Sequence, residues 1–181
     1  MKFYLVLLLG IISISACNNS KTSSPQNEDS IQKEDTDFGE LYQYYHTNPK
    51  TQEQKDENLL IDYVGDKNLD VFRTLSGVYI QKMKEFPEKD SIKWGDKISV
   101  HYKGYFLNGD EFDSSYKREK PITFRVGSMI TGWNEALLHL KRGEEAKLLI
   151  PSHLAYGKRG FDDLVPPDES LIFDIEILEE E

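Results

Sequence analysis

The chain has 181 residues, with 22 lysines and arginines against 32 aspartates and glutamates, which gives a formal net charge of −10. This length fits one domain with short additions. The acidic balance argues against nucleic-acid binding, which depends on lysine and arginine side chains that neutralise phosphates. One cysteine excludes an internal disulfide and a zinc site made of thiolates, and the four histidines lack the spacing of metal ligands. We therefore expect no metal and no other cofactor.

Residues 1–16 predict a secretory signal. Lys2 gives a basic start, and residues 3–14 are almost wholly apolar yet form a run shorter than a bilayer span. Residues 14–17, Ile-Ser-Ala-Cys, resemble a bacterial lipobox, in which the cysteine is lipidated and cleavage falls before it. Cys17 is therefore the predicted lipid anchor, and multiple acyl chains at one residue suffice for stable membrane attachment. An ordinary secretory peptide with an incidental cysteine is the alternative.

Residues 17–37 predict the lipidated Cys17 followed by a flexible, disordered tether. In residues 18–37 the one aliphatic side chain is that of Ile31, and the rest is polar apart from a proline. Such a segment buries too little apolar surface to offset the entropy lost on ordering.

Residues 38–68 regain helical periodicity. A first apolar stripe recurs at helical spacing and ends before Pro49; its members are Phe38, Leu41, Tyr42 and Tyr45. Thr51 with Gln54 resembles a capping box at the start of a second helix. This helix is expected to stop at Gly65 and to present one apolar face made of Leu59, Leu60, Tyr63 and Val64. We expect these helices to pack on the following domain; a dimer or partner interface is the alternative.

From Leu69 onward the pattern predicts strands. Apolar residues alternate with polar ones at Ile98, Val100 and Tyr102, and again at Leu171, Phe173, Ile175 and Ile177. One helix interrupts the strands, with Trp133, Leu137 and Leu140 on one face, Thr131 as a candidate N-cap and Gly143 as its stop. Residues 108–110, Asn-Gly-Asp, predict a hairpin turn. The fold class is therefore α+β. The predicted segments are 1–16, 17–37, 38–68 and 69–181.

Nine short motifs in the strand-rich region occur in a recognisable order and spacing. They lie at residues 100–115, 120–124, 126–127, 129–133, 141–144, 146–151, 154–157, 165–167 and 171–176. Over residues 69–179 the chain thereby resembles the FKBP family, the FK506-binding peptidyl-prolyl cis-trans isomerases. The resemblance implies a curved antiparallel β-sheet wrapped around one short helix, here preceded by short helices and a tether. It also implies that FK506-like macrolides could bind.

The resemblance also implies the residues of a substrate pocket. Trp133 is expected at the floor; the walls are expected to be Tyr102, Phe112, Phe124 and Phe173, and the rim Ile130 and Val165. Two catalytic roles follow for Tyr156, which would donate its hydroxyl to a substrate carbonyl, and for Asp113, which would lie beside the carbonyl of the residue before proline. A hydrogen bond from Tyr102 would hold Asp113. Arg118 would pair with this carboxylate, or else is an exposed loop charge.

The sequence is compatible with three functions. The first is an active prolyl isomerase that assists the folding of proline-containing envelope proteins. The second is a non-catalytic binding or chaperone module of the same fold in an envelope or motility complex, since lipoprotein relatives with similar helices are associated with gliding motility. The third, a hydrolase using Asp110, Glu111 and Asp113, is weak because two of these residues lie at a hairpin turn. The joint presence of Asp113, Trp133 and Tyr156 favours the first.

The expected location follows from Cys17. We expect a membrane-anchored lipoprotein of the bacterial cell envelope, attached to the outer membrane. No acidic run directly follows Cys17, which favours the periplasmic face over the cell surface.

Overall fold

The computed structural model describes residues 38–179. Cys17, the signal segment 1–16 and the tether that ends at residue 37 lie outside the described residues, so their predictions stand on the sequence alone. Within 38–179, no helix has the length and apolar character needed to cross a bilayer.

The described residues form helices, strands and short 3₁₀ turns in one order along the chain. The helices are α1 (Phe38–Leu41), α2 (Gln52–Lys67) and α3 (Thr131–Leu137). The strands are β1 (Phe72–Arg73), β2 (Tyr79–Lys84), β3 (Lys97–Phe106), β4 (Glu111–Ser114), β5 (Ile122–Arg125), β6 (Glu145–Ile150) and β7 (Leu171–Ile177). The 3₁₀ turns span Tyr42–Tyr44, Ser152–Leu154 and Gly157–Arg159.

The strands among the described residues form one antiparallel sheet. Its order is β1-β2-β6-β7-β3-β4, and β5 also pairs with β3. The first half of β3 pairs with β5 and the second half with β4, with an irregularity in register between Gly104 and Tyr105. The hairpin predicted at 108–110 joins β3 to β4, and Gly109 takes the φ of +94° that such a turn requires.

The inner face of the sheet packs on α3. Ile98, Val100 and Tyr102 are buried at alternate positions of β3, as their period of two predicts. They join one apolar cluster with Trp133 and Leu137 of α3. The predicted α+β arrangement of an antiparallel sheet around a short helix is confirmed.

The ends of α3 differ from the sequence prediction. Thr131 is the first helical residue rather than the N-cap, and Ile130 occupies the cap position without a side-chain hydrogen bond. The helix ends at Leu137, so Leu140 lies beyond it, and Gly143 with φ +84° belongs to the turn before β6. Leu140 matched the helical spacing of apolar residues because it is also buried, although it lies in the turn after the helix.

The outer face of the sheet is covered by α2. Leu60, Ile61 and Val64 are fully buried there, in a second apolar cluster whose sheet members are Tyr79, Leu149 and Ile172. The capping box of Thr51 and Gln54 is confirmed.

Two predictions about α2 are wrong. The helix passes through Gly65 and ends at Lys67, because Asn68 adopts the left-handed conformation (φ 49°) that closes it. Leu59 is 52% exposed, and Ile61 occupies the buried face instead. Burial on this face and the left-handed Asn68, rather than Gly65, decide how far the helix extends.

A half-buried ion pair also fixes α2 to the sheet. Glu57 accepts two hydrogen bonds from the guanidinium of Arg73, each at 2.8 Å, and a third from the hydroxyl of Tyr79. Burial opposes ionisation of Glu57, but these donors outweigh it and lower its pKa. The ring of Tyr44 lies under Arg73 at 4.1 Å from the guanidinium carbon. The helix is therefore attached by directional contacts as well as by apolar packing.

Candidate functional site

The centre of the candidate site is a group of aromatic rings around Trp133. The indole is 1% exposed and meets Tyr102 and Phe173 edge to face, with ring centroids 5.4 Å and 5.3 Å away. Phe124 lies 5.9 Å from Trp133, and Phe112 packs at 5.7 Å against Phe173. These separations are those of attractive aromatic pairs, which hold their rings in fixed orientations.

The predicted apolar site residues all join this cluster. Tyr102, Trp133 and Phe173 are buried members, whereas Phe112, Phe124, Ile130 and Tyr156 are half-buried and pack against it. Val165, expected at the rim, is a buried member at 2% exposure. The structure therefore brings together residues from β3, β4, β5, α3, the 154–165 region and β7.

Gly104 makes the wall of the site possible. A Cβ at this position would lie 2.6 Å from Cζ of Phe112 and 3.0 Å from Cε1 of Phe173. Any side chain would therefore force the two rings apart. Gly104 pairs with Asp113 in the register of β3 and β4, so the same strand pairing also positions the carboxylate.

Asp113 lies at the polar edge of the aromatic group. Its carboxylate accepts hydrogen bonds from the Tyr102 hydroxyl and the Arg118 guanidinium, and from the backbone N–H of Ser114 at 2.8 Å. Nη2 of Arg118 also donates to the Tyr102 oxygen at 2.8 Å. Arg118 thus pairs with the pocket carboxylate, although its side chain remains 47% exposed.

These contacts set the protonation states of the site. Partial burial opposes ionisation of Asp113, but the hydrogen bonds from Tyr102 and Arg118 outweigh it and hold its pKa below the usual value. Burial, followed by the bond to Asp113, raises the pKa of Tyr102 to about 12. Burial and the negative charge of Asp113 raise the pKa of Tyr156. At neutral pH the site therefore holds one carboxylate and two protonated phenols.

The segment after Tyr156 closes on itself beside the site. The rings of Tyr156 and Phe161 stack at 4.9 Å with an angle of 21°, although Phe161 remains 43% exposed. Phe161 and Val165 exchange two backbone hydrogen bonds of 2.9 and 3.1 Å. The N–H of Asp168 donates to the carbonyl of Gly157 at 2.9 Å. This bond ties together the two ends of residues 157–167, which we call the flap.

Sequence reasoning missed two residues that shape the site. The buried hydroxyl of Ser115 accepts from the N–H of Tyr102 at 2.7 Å and lies 3.0 Å from Nδ1 of His101. Asn134 on α3 accepts from the N–H groups of Gly127 and Met129, at 2.8 and 3.2 Å, and so fixes the loop that leads into Ile130. Both are polar residues that are buried in the structure. No pattern in the sequence marks them, and only their burial in the folded chain identifies them.

Other carboxylates of the β3–β4 hairpin have local partners. Asp110 accepts from Nδ2 of Asn108 at 2.8 Å, and Glu111 pairs with Lys117 at 2.8 Å. Across residues 38–179, no group of three or more His, Cys, Asp and Glu side chains is placed to hold a metal ion. The arrangement can exclude water from a bound group, donate hydrogen bonds and present one fixed negative charge.

Comparison with known proteins agrees with this geometry. Residues 88–178 match the family model for FKBP-type peptidyl-prolyl cis-trans isomerases. The chain is similar to the isomerase FkpA of Escherichia coli, with 40% identity over 107 residues that cover 59% of this chain and 39% of FkpA. FK506-binding protein 1A of Neurospora crassa is 42% identical over 106 residues, which cover 58% of this chain and 88% of that protein.

Solved structures show the same likeness. The crystal structure of Escherichia coli FkpA superposes with a TM-score of 0.63 at 33% identity, over 78% of this chain and 62% of that chain. A peptidyl-prolyl isomerase from Pseudomonas syringae gives a TM-score of 0.61 at 28% identity, over 74% of this chain and 98% of that chain.

The extent of these matches differs between relatives. The chain spans less than half the length of the curated FkpA relatives, whose matched share is 39–44%. It spans most of the length of the fungal FK506-binding protein. With the family model matched across half the chain and the fold shared with solved members, the chain belongs to the FKBP-type peptidyl-prolyl cis-trans isomerase family.

Proposed function

We propose that the chain is a peptidyl-prolyl cis-trans isomerase. One observation carries the proposal: Asp113 is held by Tyr102 and Arg118 at the edge of an aromatic group whose floor is Trp133. The names of its relatives support the same activity. The pocket supplies what this reaction needs, which is an apolar surface for the proline ring and polar groups at its edge.

The reaction requires only a conformational change in the substrate. Rotation about the X-Pro bond has a barrier of about 18–20 kcal/mol because the resonance of the amide must be broken. An enzyme accelerates it by binding the twisted amide more tightly than either planar form. The twisted amide is less dipolar than the planar one, so it loses less on moving from water into the aromatic pocket of Trp133 and Phe173.

Two polar residues complete the proposed mechanism. Tyr156 is protonated at neutral pH and donates its hydroxyl to a substrate carbonyl. Asp113 stays ionised and lies beside the carbonyl of the residue before proline, held in place by Tyr102 and Arg118. The backbone N–H of Ile130, at the start of α3, binds a further carbonyl. Phe112 and Phe124 form the sides of the proline pocket, and Val165, within the flap, forms its rim.

The direct test is the isomerisation of an X-Pro tetrapeptide by the full chain, purified in mild detergent. We expect catalysis that FK506 inhibits, since the proposal places a macrolide in the same pocket. Catalysis that FK506 does not inhibit would support the isomerase activity and contradict macrolide binding in the pocket. If the protein is folded, as judged by circular dichroism, but does not accelerate isomerisation, the enzyme proposal is wrong. The alternative of a non-catalytic binding module would then be favoured.

We also propose that the protein acts in the cell envelope, on proteins whose folding waits for X-Pro isomerisation, a slow step in folding. The support is the lipobox that ends at Cys17 together with the signal-like residues 1–16. Lipidated Cys17 would anchor the chain to the outer membrane, facing the periplasm. The Cys17→Ser variant should leave the membrane fraction, whereas a variant that still sediments with membranes would contradict the anchor. Digestion by protease added to intact cells would contradict the periplasmic orientation.

A further inference from the structure

A buried carboxylate on α2 contacts the segment that leads to Tyr156. Asp56 is 1% exposed, and its Oδ2 accepts from the backbone N–H of Ser152 at 2.9 Å and from the Ser152 hydroxyl at 2.5 Å. Its other oxygen accepts from the side chain of Gln52 at 2.8 Å. These three hydrogen bonds hold the carboxylate in one orientation, because hydrogen bonds to an ionised group are strong and directional.

Ser152 begins the 3₁₀ turn that places Tyr156. The turn spans Ser152–Leu154, and the N–H of Ala155 donates to the carbonyl of Ser152 at 3.0 Å. Leu154, Ala155 and Tyr156 then pack against the aromatic cluster of the site. A shift of Ser152 would therefore be passed along four residues of chain to the Tyr156 hydroxyl.

The charge of Asp56 also reaches the other end of the flap. Burial, and then the negative charge of Asp56, raise the pKa of Glu169, which follows the flap and precedes β7. The direct contacts of Asp56 with the chain beyond α2 are those with Ser152, before residues 157–167. The neighbouring Glu57 is fixed to Arg73 and Tyr79, so the helix that carries Asp56 cannot readily follow a displaced turn.

We infer that Asp56 is a positioning residue for Tyr156, acting through Ser152. The inference deepens the proposed function and rests on it for its kinetic test. Its consequence is that α2, which lies outside residues 88–178 matched by the family model, is part of the working site. The helix supplies a contact that orients the hydroxyl donor, in addition to covering the sheet.

The kinetic test is a double-mutant cycle in the full chain, purified in mild detergent. We expect Asp56→Ala and Tyr156→Phe each to lower kcat/KM about five-fold, mainly through kcat, and the double variant to lower it by about the same five-fold. If Asp56 positions Tyr156, its loss has no further effect once the hydroxyl is gone. A product of the two separate effects, about 25-fold, would overturn the inference.

Matched variants separate positioning from stability. Val64→Ala removes buried contacts from the same helix without touching Ser152, so it should lower the Tm and leave kcat/KM unchanged. Asp56→Asn keeps the shape and one acceptor oxygen, and it should recover part of the lost kcat. Equal losses of kcat/KM in Asp56→Ala and Val64→Ala would mean that Asp56 is only structural.

A second measurement is independent of catalysis. Hydrogen exchange followed by mass spectrometry should show faster exchange at residues 152–157 in Asp56→Ala than in Val64→Ala. Unchanged exchange there would overturn the positioning role even if the protein is an active isomerase. Faster exchange in a protein without isomerase activity would support the positioning contact and reject the proposed function instead.

Discussion

Tyr102 donates its hydroxyl hydrogen to Asp113 across the boundary between β3 and β4. Tyr102 and Gly104 lie two residues apart on the same face of β3, and Gly104 pairs with Asp113 in register. The absent side chain at Gly104 leaves the space that Phe112 and Phe173 occupy. One short piece of strand therefore fixes both the carboxylate and the aromatic wall, and the polar and apolar parts of the site cannot move independently.

The first prediction concerns the two proposed catalytic groups. Tyr156→Phe removes the proposed hydrogen bond to the substrate and should lower kcat/KM about five-fold, the effect of about 1 kcal/mol. Asp113→Val should lower it further, because it also leaves the Tyr102 and Arg118 donors without their acceptor. Tetrapeptide isomerisation measures both. If neither variant alters kcat/KM, the pocket is assigned to the wrong residues.

A second prediction concerns the space above Gly104. Gly104→Ala should lower kcat/KM about ten-fold, because the added methyl group displaces Phe112 and Phe173 from the pocket wall. Lys103→Ala, on the opposite face of the same strand, is the control and should retain full activity. Wild-type kinetics in a folded Gly104→Ala protein would show that the wall does not contact substrate.

The third prediction is a pH dependence. Asp113 has a lowered pKa in the folded state, so its ionised form stabilises the fold at neutral pH, and this contribution disappears as acid protonates it. Arg118→Met removes one of the donors that outweigh burial, and the pKa of Asp113 should rise. The acid limb of the kcat/KM profile should therefore move to higher pH. An acid limb that does not move would show that activity is independent of Asp113 ionisation.

The fourth prediction tests the role of α2 in stability. Ile61→Ala empties a fully buried position between α2 and the sheet, and it should lower the free energy of unfolding by about 2–5 kcal/mol. Leu59→Ala, on the exposed side of the same helix, should change it by less than about 0.5 kcal/mol. Urea unfolding measures both. Equal effects would mean that α2 is not packed as described.

Periodicity predicted the parts of the fold that a regular pattern can encode. The alternation of Ile98, Val100 and Tyr102 identified the inner face of β3, because a strand repeats every two residues. The predicted end of α2 at Gly65 was wrong, because the helix end depends on Asn68 and on burial against the sheet. Ile172 lies on the face of β7 opposite to Leu171 and Phe173, and it is buried with the apolar side chains of α2, a second buried face that alternation alone does not predict.

The site divides in the same way. The family resemblance identified Asp113, Tyr102 and Tyr156; in the structure Asp113 bonds to Tyr102, and Tyr156 packs against the same apolar cluster as Tyr102. It did not identify Asn134 or Asp56, whose partners include backbone groups of chain segments outside their own helices. A hydrogen bond between distant segments leaves no periodic trace in the sequence, so such residues become visible only when the fold is known.

The position of β7 in the sheet has a consequence for how the chain folds. This strand is the last in the described chain, yet it lies in the middle of the sheet, between β6 and β3. β3 and β7 are separated by more than 60 residues of sequence, counting from Phe106 to Leu171. Pairings between such remote segments form slowly, because the entropy of closing the loop is lost before contacts replace it. During synthesis the two halves of the sheet therefore have no shared strand until β7 has left the ribosome, and the sheet can be completed only then.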